Sequence, residues 1–183
     1  MRSLFIIHLF VLSLVSSLSW GLTLDDLVER EGLFYKKFTS TPFNGFIDEG
    51  RSNGELKNGK KEGNWEYYYE NGQLLVKSDY KNGEFDGPYI HCYDSGRLAE
   101  KGAHRNGKKE GFWVKFGWNG ILEWEGEYRN GKKEGFWVYY HHNGDMRASG
   151  NFNNGQMEGF WEFQKLKGTI ESGTYKNGVR ISN

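Results

Sequence analysis

Side chains able to do chemistry are few in this chain, and their spacing excludes most of what they could do. Five histidines and one cysteine occur among 183 residues. His141 and His142 are adjacent, so in an extended strand they point to opposite faces and cannot share one metal ion. His91 and Cys92 fail as a pair for the same reason, and His104 stands alone beside a turn. Cys92 has no second cysteine to bond, so no intrachain disulfide is possible and no CxxC pair exists. Its thiol would need partial exposure beside a base to act as a nucleophile. On the face of Ile90 it reads instead as a small hydrophobe.

Glu123, Glu125 and Glu127 lie at alternate positions, which would set carboxylates side by side for acid–base work. No insertion able to wall a pocket accompanies them, and they read as a solvated strand face. Lys60-Lys61-Glu62, Lys108-Lys109-Glu110 and Lys132-Lys133-Glu134 fall at turns, where mixed charge serves solubility and partly cancels against phosphate. The glycines recur as turn and packing positions and never open a helix, so the Walker and dinucleotide phosphate loops are missing. These residues predict a protein that is not an enzyme and uses no metal and no cofactor.

Aromatic residues are the richer resource, at 17% of the chain. One strand lane holds Trp65, Tyr89, Trp113, Trp137 and Trp161, with Tyr67, Tyr139 and Phe163 beside it. Such a lane is either a stacking ladder for sugars or peptides, or the core of a thin sheet. Core is the commoner outcome, which moves any binding to the turns or to the irregular unit where Lys115, Gly117 and Trp118 break the pattern. The candidate interaction surface is accordingly Trp65, Tyr67, Tyr89, Trp113, Lys115, Trp118, Trp124, Trp137, Tyr139 and Trp161.

What positions these residues is a repeat. Asn-Gly pairs fall at Asn58, Asn82, Asn106, Asn130 and Asn154, 24 apart each time, and then at Asn177. A second set of turn signals falls halfway, at Asn71-Gly72, Ser95-Gly96, Asn119-Gly120, Asn143-Gly144 and Lys167-Gly168. Two turns per unit imply two strands, and Asn-Gly between patterned runs is a strong signal for a two-residue type I′ hairpin. The prediction is all-β: a continuous, elongated and twisted antiparallel meander, with units near 43–57, 58–81, 82–105, 106–129, 130–153 and 154–180. A two-residue loop at Asn143-Gly144 sets Trp137 opposite Gly150, Tyr139 opposite Ala148, His141 opposite Met146 and Gly135 opposite Phe152. The previous unit in the same register puts Trp113 across from Gly126 and Gly111 across from Tyr128. Rings would then cover cross-strand glycines, with both Gly126 and Gly135 making room. The opposite face is mixed, with Phe112, Val114 and Phe116 alongside Lys101, Glu125 and Arg147.

Both ends differ from the array. Thr23 to Arg30 has an N-cap threonine, Asp26 at the capping-box position and Leu24, Leu27 and Val28 on one face, which predicts a cap helix over 23–32 ended by Gly32. It would cover an open sheet edge. Residues 1–20 carry Arg2, a largely apolar run from Leu4 to Val15 and small residues at Ser17 and Ser19, the pattern of a signal peptide. No cysteine follows for lipid attachment. The mature chain is expected to start near Trp20 to Thr23 and to be periplasmic or extracellular, in a bacterium. Formal charge is zero, with 24 basic and 24 acidic residues, which leaves no field for nucleic acid and disfavours phospholipid.

The stretch Gly126-Glu127-Tyr128-Arg129-Asn130-Gly131-Lys132-Lys133-Glu134-Gly135-Phe136-Trp137, continued through Tyr140 to Asn143-Gly144, resembles the MORN repeat in the bacterial variant labelled the YwqK-type antitoxin repeat. Thr41-Pro42-Phe43-Asn44-Gly45 is similar to the entry segment of such proteins, and the likeness spans roughly residues 33 to 180. The resemblance implies stacked hairpins in one elongated sheet. It also implies binding rather than catalysis: a scaffold for a protein partner, an antitoxin-like inhibitor of a toxin, or a carbohydrate or cell-envelope binder through the aromatic lanes. Eukaryotic MORN proteins are associated with membrane apposition and with phospholipid or protein binding, and the absence of a basic excess departs from that pattern.

Overall fold

The computed structural model describes residues 21–165 and 168–182. The segment read as a signal peptide lies outside the described residues. A short hairpin of β1 (Leu27–Arg30) and β2 (Leu33–Lys36) precedes a single 13-stranded antiparallel sheet. Its strands are β3 (Gly45–Ile47), β4 (Ser52–Lys57), β5 (Lys60–Tyr68), β6 (Leu74–Lys81), β7 (Glu84–Cys92), β8 (Leu98–Arg105) and β9 (Lys108–Phe116). They continue as β10 (Leu122–Arg129), β11 (Lys132–Tyr140), β12 (Met146–Asn153), β13 (Gln156–Gln164), β14 (Ile170–Lys176) and β15 (Val179–Ser182). Spatial order follows chain order from β3 to β15, so the sheet is an open meander that never closes. Twelve steps at the usual inter-strand spacing give it a width of roughly 57 Å.

Two kinds of turn build it. Asn58, Asn82, Asn106, Asn130, Asn154 and Asn177 have φ between 48° and 52°, and the glycine after each is also positive. These are the expected two-residue type I′ loops, as in the pairing of Arg129 with Lys132. The halfway turns differ. There only the glycine has a positive φ, as at Gly144 (90°). The Gly144 N–H donates to the His141 carbonyl at 2.9 Å and the His141 N–H to the Asp145 carbonyl at 2.8 Å. This is a three-residue loop with a bulge, so Met146 pairs with Tyr140 and the expected His141–Met146 pairing is displaced by one residue. The Asn143 side chain accepts the Asp145 N–H at 3.1 Å, as Asn71 and Asn119 accept the matching N–H in their own turns. The other pairings hold, including Trp137 with Gly150, Gly135 with Phe152 and Trp113 with Gly126.

The loop bulges also change which face a side chain reaches. Arg147 lies over the ring of Tyr139, on the tryptophan face, rather than on the mixed face. Glu123 pairs across to Lys115 at 3.0 Å.

At the N-terminus the predicted helix is replaced. Thr23 and Asp26 do bond, through the Thr23 N–H at 3.0 Å and its hydroxyl at 2.7 Å, but they close only a 3-10 turn over Leu24–Asp26. The chain then extends into β1, and Gly32 with Glu31 forms a hairpin turn instead of a helix stop. An eight-residue helix holds few hydrogen bonds against its nucleation cost, whereas the hairpin sets Phe34 and Leu27 against the end of the sheet. Leu27, Ile47, Leu56 and Trp65 form a buried cluster there, with Leu22, Leu24, Phe34 and Phe43 packed on it. The segment therefore covers the end of the aromatic face.

Candidate functional site

The aromatic lane is the core of the sheet. Trp65, Trp113, Trp137 and Trp161 are 0–2% exposed. Each indole N–H donates at 3.0 Å to a carbonyl ten residues earlier, at Glu55, Ala103, Glu127 and Asn151 respectively. Each ring lies flat against the glycine just before that carbonyl. A Cβ on Gly126 would sit 2.3 Å from Cδ2 of Trp137, and one on Gly150 would sit 2.3 Å from Trp161. The ring thus covers the glycine of the strand before it, not of the strand after it as the sequence register suggested. Gly135 plays a different part from Gly126. Its φ is +64° and nothing lies within 4 Å of an added Cβ, so it is there for a bulge and makes no room for a ring. The Gly126/Glu127 register shift is the other side of that bulge.

Lysines complete this face. In each Lys-Lys-Glu the second lysine turns inward: the Lys133 ammonium lies 4.5 Å from the ring centroid of Trp137 and 5.0 Å from that of Tyr139. Lys61 and Lys109 sit in the same way over Trp65 and Trp113. Burial holds the Lys61 and Lys133 ammonium groups below their ordinary range. The glutamate of the triplet accepts the N–H of the next unit's turn asparagine, as Glu134 does from Asn154 at 3.0 Å. These triplets are therefore structural ties, and only their first lysine behaves as the solvated rim that the sequence implied. Tyr67, Tyr89 and Tyr139 are half-buried in the same face, where burial raises their phenols, Tyr139 to about 12.

One place on the sheet departs from this regularity. The residue opening each halfway turn reaches the last carbonyl of the next unit's strand. The Tyr69 hydroxyl donates to the Cys92 carbonyl at 2.9 Å, Tyr93 to Phe116 at 2.8 Å, and His141 Nε2 lies 2.7 Å from the Gln164 carbonyl. The member of this series between Tyr93 and His141 is Gly117, which has no side chain to send to Tyr140. A cleft of about 310 Å³ opens there, lined by Gly117, Trp118, Leu122, Glu123, Trp124, Tyr140, His141 and Arg147 among others. Trp118 stands 78% exposed on its rim. The Tyr140 hydroxyl donates to Glu125 at 2.7 Å, and burial and that bond push its phenol up to about 12. Lys115 is raised by its bond to Glu123.

Of the ten residues proposed from sequence, the structure therefore brings Trp118 and Trp124 together at the cleft, with Lys115 tied to its Glu123 wall. The four lane tryptophans are buried in the core. In the sequence Gly117 is only a break in pattern, His141 is weighed only as a metal ligand and Arg147 only as part of the mixed face, and Tyr140 carries no site signal. Aligning positions 69, 93, 117 and 141 carries the signal, since three of the four are ring side chains.

Fold and site together define an open β-repeat protein whose Gly117 unit departs from its neighbours at the halfway turn. The sequence matches no protein-family model and no curated protein. Among solved structures, the crystal structure of a GtfA/B complex bound to UDP and GlcNAc aligns over 86% of this chain at 8% identity and a TM-score of 0.21. The aligned part spans 27% of that chain, and at such a score the likeness carries no argument about function.

Proposed function

We propose that this chain is an exported MORN-type repeat protein that acts as a non-catalytic scaffold, engaging a protein partner through the Gly117 cleft. The observation that carries the reading is the coincidence of three departures at one unit: a missing ring at Gly117, a cleft in its place, and Trp118 exposed beside it. The four lane tryptophans are consumed by the chain's own packing, and the phenylalanines that stay exposed at 56–60%, Phe112, Phe136 and Phe160, recur identically from unit to unit and mark no single site. An exposed tryptophan next to a concave, partly apolar patch is the composition of an interface anchor. The residues matching Trp118 in the neighbouring units, Asp94 and His142, are exposed polar side chains at equivalent loops. Export is supported by the charge and apolar pattern of residues 1–20.

The test is a photo-crosslinking residue placed at 118 or at 94 in the full chain, expressed in its native host. Adducts to one discrete protein are expected from position 118 and not from 94. Equal labelling from both, or none from 118, would overturn the scaffold assignment. Fractionation of the same cells addresses export: a chain found in the cytoplasm with its first 20 residues intact would remove that part.

A further inference from the structure

The volume at Gly117 has the shape of something the chain itself supplies elsewhere. In the two preceding units a tyrosine occupies this place and its hydroxyl donates to the strand-end carbonyl of the next unit, at Cys92 and Phe116. In the following unit an imidazole does so toward Gln164. Spacing is 23 residues in all three, which assigns Tyr140 as the acceptor left over for Gly117. Among the described residues no side chain donates to the Tyr140 carbonyl, and that residue lines the cleft. The walls suit a flat ring: Trp118 and Trp124 offer aromatic surfaces, and Leu122 an apolar one. Gly117 is buried, and a Cβ there would meet Asn119 Oδ1 at 2.8 Å, which accepts the Ile121 N–H, and Glu123 Oε1 at 3.2 Å, the far end of a side chain paired with Lys115.

From this we infer that the cleft binds a phenol ring, presented as a tyrosine side chain by the protein partner, with its hydroxyl donating to the Tyr140 carbonyl. The partner half of the statement rests on the scaffold reading; the phenol half rests on the geometry alone. The ligand completes the repeat in trans. A ring with its donor fills a slot that tyrosines fill in cis, and the acceptor geometry is already fixed by β11.

The test is titration of the full-length protein with p-cresol, read by tryptophan fluorescence and by transferred NMR contacts to the Trp124 ring. Saturable binding is expected, with N-acetyl-tyrosinamide binding comparably and toluene roughly tenfold more weakly, since it lacks the hydroxyl donor. Gly117→Tyr should weaken p-cresol at least about tenfold, because the new ring occupies the slot in cis. Absence of saturable p-cresol binding overturns the proposal, as does unchanged binding in a folded Gly117→Tyr. Should that variant fail to fold, Trp118→Ala replaces it, and a loss of affinity below twofold counts against the site. Binding of p-cresol without N-acetyl-tyrosinamide would assign the slot to a free phenol and remove the partner tyrosine. Crosslinking at position 118 without any phenol binding sinks this inference and leaves the scaffold reading standing; phenol binding without crosslinks does the reverse.

Discussion

At the scale of single residues the glycines divide by what a side chain would meet. Gly126 has no positive φ, and its cost for any other residue is the indole of Trp137 lying against it. Trp137 is fully buried and held by its bond to Glu127, so it has no room to swing away. Gly126→Val should therefore lose about 3 kcal/mol or more, at the upper end of overpacking costs. Gly135→Ala meets no atom and should lose only about 1 kcal/mol of left-handed backbone strain. Urea unfolding of the two variants decides it, and the assignment fails if Gly135→Ala proves the costlier. One unit shows the same rule through an exception. Ser78 stands where the glycine would be, and Tyr89 where the tryptophan would be. Ser78 is 1% exposed, and its hydroxyl donates to the Pro88 carbonyl at 3.1 Å, with the Asp79 carbonyl that an indole would have used farther off at 3.4 Å. Tyr89→Trp alone should destabilise by crowding Ser78, whereas Ser78→Gly with Tyr89→Trp rebuilds the usual pair. A double-mutant cycle should thus give a favourable coupling of about 1–3 kcal/mol; additive effects would mean that the two positions do not share one slot.

At the scale of elements, each β-hairpin is a turn, a bulge and an aromatic face, locked by an inward lysine at Lys61, Lys109 and Lys133 and by Phe85 and Met157 at the equivalent positions. That face titrates. The Tyr139 phenol is raised to about 12 because burial disfavours its charged form. A folded pKa above the unfolded value means that the unfolded chain loses its proton first. Stability from this group is then fully present below pH 10 and is lost as pH rises toward 12. Tyr139→Phe should flatten the fall in urea-unfolding stability between pH 10 and 12 relative to the wild type, and an identical slope would show that the ring is wetter than its packing implies. Much of this level was legible beforehand. A period of 24 with two turn signals implies two antiparallel strands per unit and the Trp137–Gly150 pairing, because a period of two and a hairpin turn leave little freedom. Loop type was not legible: Asn58-Gly59 and Asn143-Gly144 are the same dipeptide, yet the first closes a two-residue loop and the second sits in a three-residue one. That one-residue difference moved Arg147 to the other face. The cap over 23–32 failed for a related reason, since helical spacing in a short segment cannot report the sheet face it will meet. At the cleft, Trp118 and Trp124 were visible as aromatics, but the meaning of Gly117 depends on bonds made by Tyr69, Tyr93 and His141 across a unit boundary.

At the scale of the whole molecule the sheet has no centre. Each strand pairs with its chain neighbours, the ordered strands run from β3 to β15 without a crossover, and the buried residues form a line along one face. Such an object is close to one-dimensional, so its stability is a sum of units and junctions. The junctions are nearly interchangeable: Gly126 against Trp137 repeats as Gly150 against Trp161, and Glu134 ties Asn154 as Glu110 ties Asn130. One unit breaks this equivalence at its halfway turn, where Gly117 leaves a gap in a series filled at Tyr69, Tyr93 and His141. Removing residues 130–153 joins Arg129 to Asn154 and places Gly126 against Trp161, a junction of the same kind as the one removed. The shortened chain should fold with its aromatic face intact and a urea m-value lower by roughly one seventh, since m follows the surface exposed on unfolding. Removing only residues 130–141 takes away a strand and a turn together. It joins Arg129 to His142, reverses the direction of everything that follows and leaves Gly126 without a covering ring. That chain should lose cooperative unfolding over its C-terminal half. If both deletions fold equally well, the repeat is the single strand and not the hairpin, and the pairing of one glycine with one indole per unit is not what holds the sheet together.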